Sequence, residues 1–553
     1  MTSRLAIYQS SGGLYARRNV FGVDVANLGL YRALIAHGGL EQLTVLSTQQ
    51  AGAQEIADVL TQGATSPPVV VSDIMNQRAA ADAGALLRGR PDLHDLAWLR
   101  RRAVGDRAYS LLGLVHTIAP PTMRQMIAMS AVGPVQPWDA IICTSPSVQQ
   151  ALSSMLDEYG DYLGDRFGGR RGPRPDLPLL PLGVDQQAIA AGARGPGVRQ
   201  ALRAELGLAD DDVLVLWVGR LSFFEKAFPQ PMFRAAQEAA EATGARVCLA
   251  LAGWFPHGET DEARYRQAAA AYAPLVDLKV LDGGDRERVM GLYGAADIFL
   301  SLVDNIQETF GLTPVEAMAA GLPVVASDWD GYRYTIRDGV EGFLIPTLGG
   351  VAGGLGHAMA LRHAMGLDTY QTYVGEIAQH TAVHVGRAAA ALSELIRSPA
   401  LRARMGAAGR ERVRTSFDWP VVVGRFKALL AHLADLRSQA PVQTGPALNP
   451  VKGDPFADFA GFATQTLKLD TILRVRPGVT ADDLERARGV ELDQMFGVWR
   501  GDHDECLAVL GFIAARNGAA VRTILGEFPV ARRRAVELSL LWMGKLGLLD
   551  WLA

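Results

Sequence analysis

Val213-Leu-Val-Leu-Trp-Val218, followed at once by Gly219-Arg220-Leu221, is the stretch from which the architecture of this chain can be read. Six consecutive apolar residues ending at a glycine suit a strand buried on both faces of a parallel sheet. Upstream, the same kind of pattern has already run once. Residues 5–8 form a short apolar run, 10–13 a turn, and 23–37 carry apolar residues at helical spacing. Further strand candidates follow at 43–46, 69–71, 113–116 and 140–143. Downstream of 213–218 the alternation resumes, with strand candidates at 246–252, 278–281, 298–302, 323–326 and 342–345. A series that runs, stops and restarts predicts an α/β protein of two Rossmann-like domains, 1–185 and 186–437. The cleft between them would be lined by strand C-terminal ends, where ligands of open α/β sheets bind.

Three segments fall outside that alternation. Residues 347–385 are too long for a simple connection and predict an insertion with helices of its own. Residues 438–455, with Pro441, Pro446, Pro450 and Gly453, read as a linker. Beyond it, 456–553 predicts a small, mainly helical unit, with helices over 481–487, 504–516, 519–527 and 532–541 and an apolar end at 546–552. Three helices ending in this way resemble a truncated winged helix. A complete one would need a β-wing after Leu549.

Composition narrows the function classes. The 553 residues hold 54 basic and 58 acidic side chains, so the overall charge demands no polyanionic partner, and nucleic acid is not expected. With 49% hydrophobic and 20% charged residues the chain is globular rather than disordered. Cys143, Cys248 and Cys506 share no metal-type spacing and suggest reduced thiols, hence a cytoplasmic location. No apolar run reaches the length of a signal h-region or of a membrane helix. Peripheral membrane contact and self-association through the C-terminal unit stay open.

The chemistry concentrates in Asn305-Ile-Gln-Glu308-Thr-Phe310-Gly311-Leu312-Thr313-Pro-Val-Glu316. Two carboxylates lie on either side of a glycine-containing turn that leads into a helix. The free N–H groups and positive dipole end of such a helix attract a phosphate or diphosphate. Carboxylates beside it can accept hydrogen bonds from hydroxyls. A ligand anionic in the middle and hydroxyl-rich at both ends, a nucleotide sugar, fits this pattern. An ordinary helix start with acidic residues complementing its dipole shares the spacing. A second cluster, Gly219-Arg220-Leu221 with Lys226, places two cations on the loop after 213–218, suited to gripping a diphosphate and neutralising it as a leaving group without a metal.

The segment from Glu308 to Asp328 resembles the E-x7-E region of retaining GT-B glycosyltransferases of family GT4, and Gly-Arg-Leu followed by a lysine resembles the same family, here with the Arg-to-Lys spacing one residue longer than its commonest form. The likeness extends over about 1–437 and includes Pro181-Leu-Gly-Val-Asp185 and Phe417-Asp-Trp419. The resemblance implies that Glu308, Phe310, Gly311 and Leu312 contact the transferred sugar, Thr313 the diphosphate and Glu316 the ribose. It implies that Gly219, Arg220 and Lys226 hold the diphosphate, that His116 lies beside the sugar, and that Gly12 and Gly13 form a loop approaching the donor phosphate. The catalytic set expected is then His116, Arg220, Lys226 and Glu308. The reaction expected is retaining transfer to a hydroxyl acceptor by front-face displacement, with no metal and no cofactor beyond the nucleotide-sugar donor. A non-catalytic nucleotide-sugar sensor acting through the C-terminal unit is the alternative. A phosphorylase on the same fold would need a pyridoxal phosphate lysine, and of six lysines only Lys226 lies in a site motif. His380 and His384 have zinc-like spacing, but no glutamate accompanies them and Val383 and Val385 suggest an extended segment. The Arg532-Arg533-Arg534 run reads as a solvated helix end.

Overall fold

The structure, a computed structural model, describes residues 4–9, 22–48, 52–63, 67–195, 197–442 and 445–551. The chain divides into two compact units, Met1–Ala447 and Leu448–Ala553. The first unit holds two parallel six-stranded sheets. One contains β1 (Arg4–Gln9), β2 (Gln42–Ser47), β3 (Val69–Asp73), β4 (Ala85–Arg88), β5 (Ser110–Leu114) and β6 (Ala140–Ile142), in the order β3-β2-β1-β4-β5-β6. The other contains β7 (Val213–Val218), β8 (Val247–Gly253), β9 (Asp277–Asp282), β10 (Ile298–Ser301), β11 (Val324–Ser327) and β12 (Gly342–Ile345), in the order β12-β11-β10-β7-β8-β9. The two orders are the same doubly wound scheme. In each sheet the first and fourth strands are neighbours, and the connections turn in opposite directions on either side of them. That reversal opens a crevice at the strand C-terminal ends, where such sheets bind ligands.

Burial explains why these runs become strands. β7 is buried up to Trp217 and is flanked on both sides, by β8 and β10. β5 is buried throughout. One difference from the sequence expectation has consequences for the site. β4, the short Ala85-Leu-Leu-Arg88, was not expected, yet it occupies the centre of the first sheet between β1 and β5. It follows the helix Gln77–Ala83 after a single glycine, so neither period has room to show itself. β5 also ends at Leu114, which leaves His116 two residues past the strand on the loop.

The two α/β domains are joined through the backbone. Val184 N donates to Phe417 O at 2.9 Å and Trp419 N to Val184 O at 3.2 Å. The helix Trp419–Gln439 then returns to the first domain, burying Val422, Val423, Phe426, Leu429 and Leu433 in the same apolar core as Leu5, Ile7 and Leu30. Near its end Arg437 donates to Gly84 O at 2.8 Å and to Ser110 Oγ at 2.7 Å. The insertion after β12 is anchored by an antiparallel pair, β13 (Thr347–Leu348) with β14 (Ala382–Val383), and carries the helices Leu355–Ala364 and Tyr370–Gln379. His380 ends the second of these helices and His384 precedes the helix Val385–Arg397, so no single helix carries both.

The second unit has its own core around Leu473, Val509, Ile513, Ile524, Val536 and Met543. Helices surround a three-stranded antiparallel sheet of β15 (Ile472–Val475), β16 (Ala519–Ala520) and β17 (Leu549–Trp551), with β15 in the middle. The central strand β15 comes from the N-terminal side of the helices and pairs with β17 at Leu549–Trp551. Among the described residues no helix is long and apolar enough to cross a membrane.

Candidate functional site

In the second sheet the crevice lies between β7 and β10, and the loops after these two strands carry the residues singled out in the sequence. They are tied together: Asn305 Nδ2 donates to Phe224 O at 2.7 Å, and the Asp304 carboxylate accepts from Phe228 N at 3.3 Å. Burial pushes Asp304 up to about 8 against that backbone hydrogen bond. The insertion covers the β7 loop, with Gly375 against Phe224.

Within this frame Lys226 Nζ lies 3.4 Å from Glu308 Oε2, an ion pair between loops 82 residues apart. Burial alone would raise the Glu308 pKa, but Lys226 together with the backbone N–H groups of Phe310 and Gly311 outweighs it and holds the carboxylate below its ordinary range. Arg220 pairs with Glu225 at 2.7 Å and stands over the Trp254 ring at 6.0 Å. Glu225, unremarked in the sequence, thus orients the first cation. Gly219 continues β7, its N–H donating to Ala252 O at 3.0 Å.

Gly311 caps the helix Leu312–Ala320 at φ 87°, in the left-handed region. A Cβ there would fall 2.0 Å from Tyr332 Cε1, so glycine is required by both conformation and space. Phe310 is buried edge-on against Phe417, leaving its backbone as the part that faces the turn, with its N–H donating to Glu308 Oε1 at 3.3 Å. Leu312 and Thr313 occupy the first turn of the helix, half-buried. Glu316 is held internally: Oε1 accepts from Arg286 Nη2 at 2.6 Å and Oε2 from the Tyr293 hydroxyl at 3.0 Å. Arg286, 30 residues upstream, carries no motif that would have marked it.

The first domain reaches this site directly. Thr309 Oγ1 donates to His116 O at 2.8 Å, and Ser145 Oγ donates to Asp330 Oδ1 at 2.6 Å. Burial pushes Asp330 up to about 7, partly offset by the Ser145 hydrogen bond. The structure therefore brings His116 into contact with the Glu308 segment through its main chain. Gly12 and Gly13 lie outside the described residues.

The hydrogen bonds of Asn27 assign the tautomer of the His116 ring. Asn27 Nδ2 donates to Gly89 O at 3.1 Å, and since a carbonyl only accepts, this orients the amide. Asn27 Oδ1 then faces His116 Nε2 at 2.9 Å, so Nε2 carries the proton and Nδ1 keeps a lone pair. Gly89 makes this possible, because a Cβ there would sit 2.4 Å from Asn27 Nδ2. Burial lowers the ring pKa to about 4. The unfolded chain therefore takes up a proton near the ordinary value of about 6.5 before the folded one does, and the stability this ring contributes is lost as pH falls from there toward 4. Nitrogen-15 NMR of the imidazole should show the neutral Nε2–H form persisting down to pH 5. A ring protonated at pH 6.5 would contradict the arrangement.

Comparisons with known proteins bear on the domain built around the second sheet and on the fold. The family profile described as "Glycosyl transferases group 1" matches residues 198–348, from the helix before β7 to β13. Curated relatives include the D-inositol 3-phosphate glycosyltransferase of Geodermatophilus obscurus, 34% identical over 259 residues that make up 45% of this chain and 53% of the relative. Another is the phosphatidyl-myo-inositol mannosyltransferase of Mycobacterium leprae, 36% identical over 187 residues, 34% of this chain and 39% of the relative. The matches span between about a third and about half the length of these curated relatives. Among solved structures, Anabaena HepE in complex with UDP superposes with a TM-score of 0.50 at 16% identity, over 78% of this chain and 99% of that one. The N-terminal domain of Candida albicans trehalose-6-phosphate phosphatase does so with a TM-score of 0.50 at 12% identity, over 78% and 97%. These two likenesses concern the fold. Over residues 198–348 the chain is thus similar to the glycosyl transferases group 1 family, within a GT-B fold of two parallel sheets.

Proposed function

We propose that this protein is a retaining glycosyltransferase that moves a sugar from a nucleoside-diphosphate sugar to a hydroxyl acceptor without a metal. The observation that carries this reading is the Lys226–Glu308 pair beside the glycine-capped start of the helix Leu312–Ala320, at the crevice of the second sheet. The helix N-terminus, Arg220 and Lys226 supply positive potential for the donor diphosphate and for the charge that grows on it as the sugar leaves. Glu308, with its charge maintained by Lys226 and two backbone N–H groups, accepts hydrogen bonds from sugar hydroxyls and stabilises the cationic character of the departing sugar. Glu316 receives the ribose hydroxyls by sharing its oxygens with Arg286 and Tyr293. Neutral His116 offers the Nδ1 lone pair to a sugar hydroxyl and gives up no proton. The leaving phosphate oxygen takes the acceptor proton on the face from which it departs, so the anomeric configuration is retained. Contacts between the two domains exclude the water that would otherwise hydrolyse the donor.

The test needs no acceptor. Purified protein is screened by thermal shift and by slow hydrolysis against UDP, GDP, ADP and dTDP sugars, with and without EDTA. One donor family should stabilise the protein and be hydrolysed at a rate EDTA leaves unchanged. No response to any nucleotide would favour a non-catalytic scaffold, and a response abolished by EDTA would overturn the metal-independent mechanism.

A further inference from the structure

The helices of the insertion lie beyond residue 348, where the match to the family profile ends, yet the second of them, Tyr370–Gln379, is packed on the loop that carries Arg220, Glu225 and Lys226. We propose that Tyr370 is a positioning residue for donor binding: its hydroxyl takes over the Glu225 carboxylate when the donor diphosphate draws Arg220 away from it, a role that rests on the nucleotide-sugar reading above. The insertion thereby sets the affinity for the diphosphate without touching it.

The helix is well placed for this. Thr369 caps its start, with Oγ1 accepting from Thr372 N at 3.1 Å, and Val374 and Ala378 are buried. Further along the same helix, a Cβ added at Gly375 would stand 3.1 Å from Phe224 Cβ, so the backbone lies directly on the residue before Glu225. At the helix start the Tyr370 hydroxyl is buried and has no hydrogen-bond partner among the described residues. Burial raises its pKa, the Glu225 carboxylate adds to the rise and Arg220 opposes it, so both members of the ion pair act on this hydroxyl. A phenol kept neutral in this way is a donor, and an ionised carboxylate is a strong acceptor for it.

Glu225 is already engaged. Its Oε2 lies 2.7 Å from Arg220 Nη1, with both side chains largely shielded from solvent. In this arrangement the guanidinium satisfies the carboxylate and the phenol is left over. A diphosphate at the start of the helix Leu312–Ala320 competes for the same guanidinium. As Arg220 turns toward it, Glu225 is left with a buried charge and a weakened cation, which is unfavourable. Turning the carboxylate to the Tyr370 hydroxyl restores a charge-assisted hydrogen bond and satisfies a donor that had none. The unliganded protein thus holds one unmet donor and the liganded protein holds none, and that difference favours binding.

Binding of UDP, GDP, ADP and dTDP to the full chain is measured by isothermal titration calorimetry, with the melting curve of the unliganded protein beside it. Tyr370→Phe removes only the hydroxyl. It should weaken whichever nucleotide the parent binds by about tenfold, the worth of one charge-assisted hydrogen bond, and leave the unliganded melting temperature equal or higher, because no bond is lost there. In a Glu225→Met background the same substitution should change the affinity by less than about twofold. Carbon-13 NMR of the tyrosine Cζ atoms gives a reading that needs no variant at Glu225. The Tyr370 signal, assigned by its absence from Tyr370→Phe, should move downfield when nucleotide is added. Tyr373→Phe, which removes another hydroxyl from the same helix, should leave the affinity unchanged. Unaltered affinity in Tyr370→Phe, an equal loss in Tyr373→Phe, or a Tyr370 signal that nucleotide does not move would overturn the proposal. A lower unliganded melting temperature in Tyr370→Phe, or a tenfold loss that persists without Glu225, would also overturn it, by showing a packing role or a different partner. Binding of none of the four nucleotides to the parent would overturn the donor reading, and this role with it.

Discussion

Lys226→Ala should lower kcat/KM by about 10²- to 10³-fold, the loss expected when one preorganised charge facing a developing anion is removed. The expectation rests on two roles of a single ammonium group. It faces the place where the helix Leu312–Ala320 begins, and it holds Glu308 ionised from 3.4 Å. Removing it therefore withdraws a cation from the leaving group and also changes the carboxylate beside the sugar. With Lys226 present, the Glu308 pKa lies below its ordinary range, so its contribution to stability is present above the unfolded value and is lost on acidification through the lower folded value. Without Lys226, burial is the leading remaining influence on Glu308, and the acid limb of the pH–rate profile should move to higher pH. The pair is partly exposed, 32% and 16%, so the variant should keep its fold. Steady-state kinetics with the donor found in the screen, alongside a melting curve, checks both statements. Turnover within threefold of the parent would defeat the assignment.

The largest stability effect should come from a residue far from the chemistry. Arg100, on the helix His94–Ala103, is completely buried, as is its partner Asp139. Nη1 donates to Asp139 Oδ1 at 2.6 Å and to Tyr109 O at 2.7 Å, while Nη2 donates to Asp139 Oδ2 at 2.8 Å. Asp139 in turn accepts from the backbone of Leu111 and Gln136, both at 2.8 Å. Arg100→Leu leaves that carboxylate buried without its cation and should cost about 3–5 kcal/mol, read from the urea midpoint. Replacing both members with apolar residues should not restore stability, because Leu111 N and Gln136 N would lose their acceptor. A single variant within about 1 kcal/mol of the parent would contradict this account. The pair stands just before β6, whose C-terminal end leads to Thr144 and Ser145, the residues that meet Thr309 and Asp330, so its loss should also loosen the contact between the two domains.

Where chemistry is carried by neighbours in sequence, sequence alone was informative. The apolar run at β7 and its restart of the alternation determined two α/β domains, because a strand buried on both faces needs continuous apolar residues. Glu308, Gly311 and Glu316 could be picked out because a turn and the helix after it place them by local geometry. What the tertiary structure alone decided are pairings between distant positions. β4 is four residues long and follows a helix after one glycine, so only its place between β1 and β5 reveals it, and with it the Arg88-Gly89-Arg90 turn. Asn27 meets His116 across 89 residues, Arg286 meets Glu316 across 30, and Thr309 meets His116 across 193. The tautomer of a histidine, the charge of a buried carboxylate and the partner of an arginine depend on which groups burial brings within about 3 Å, and that is a property of the packed chain rather than of any segment of it.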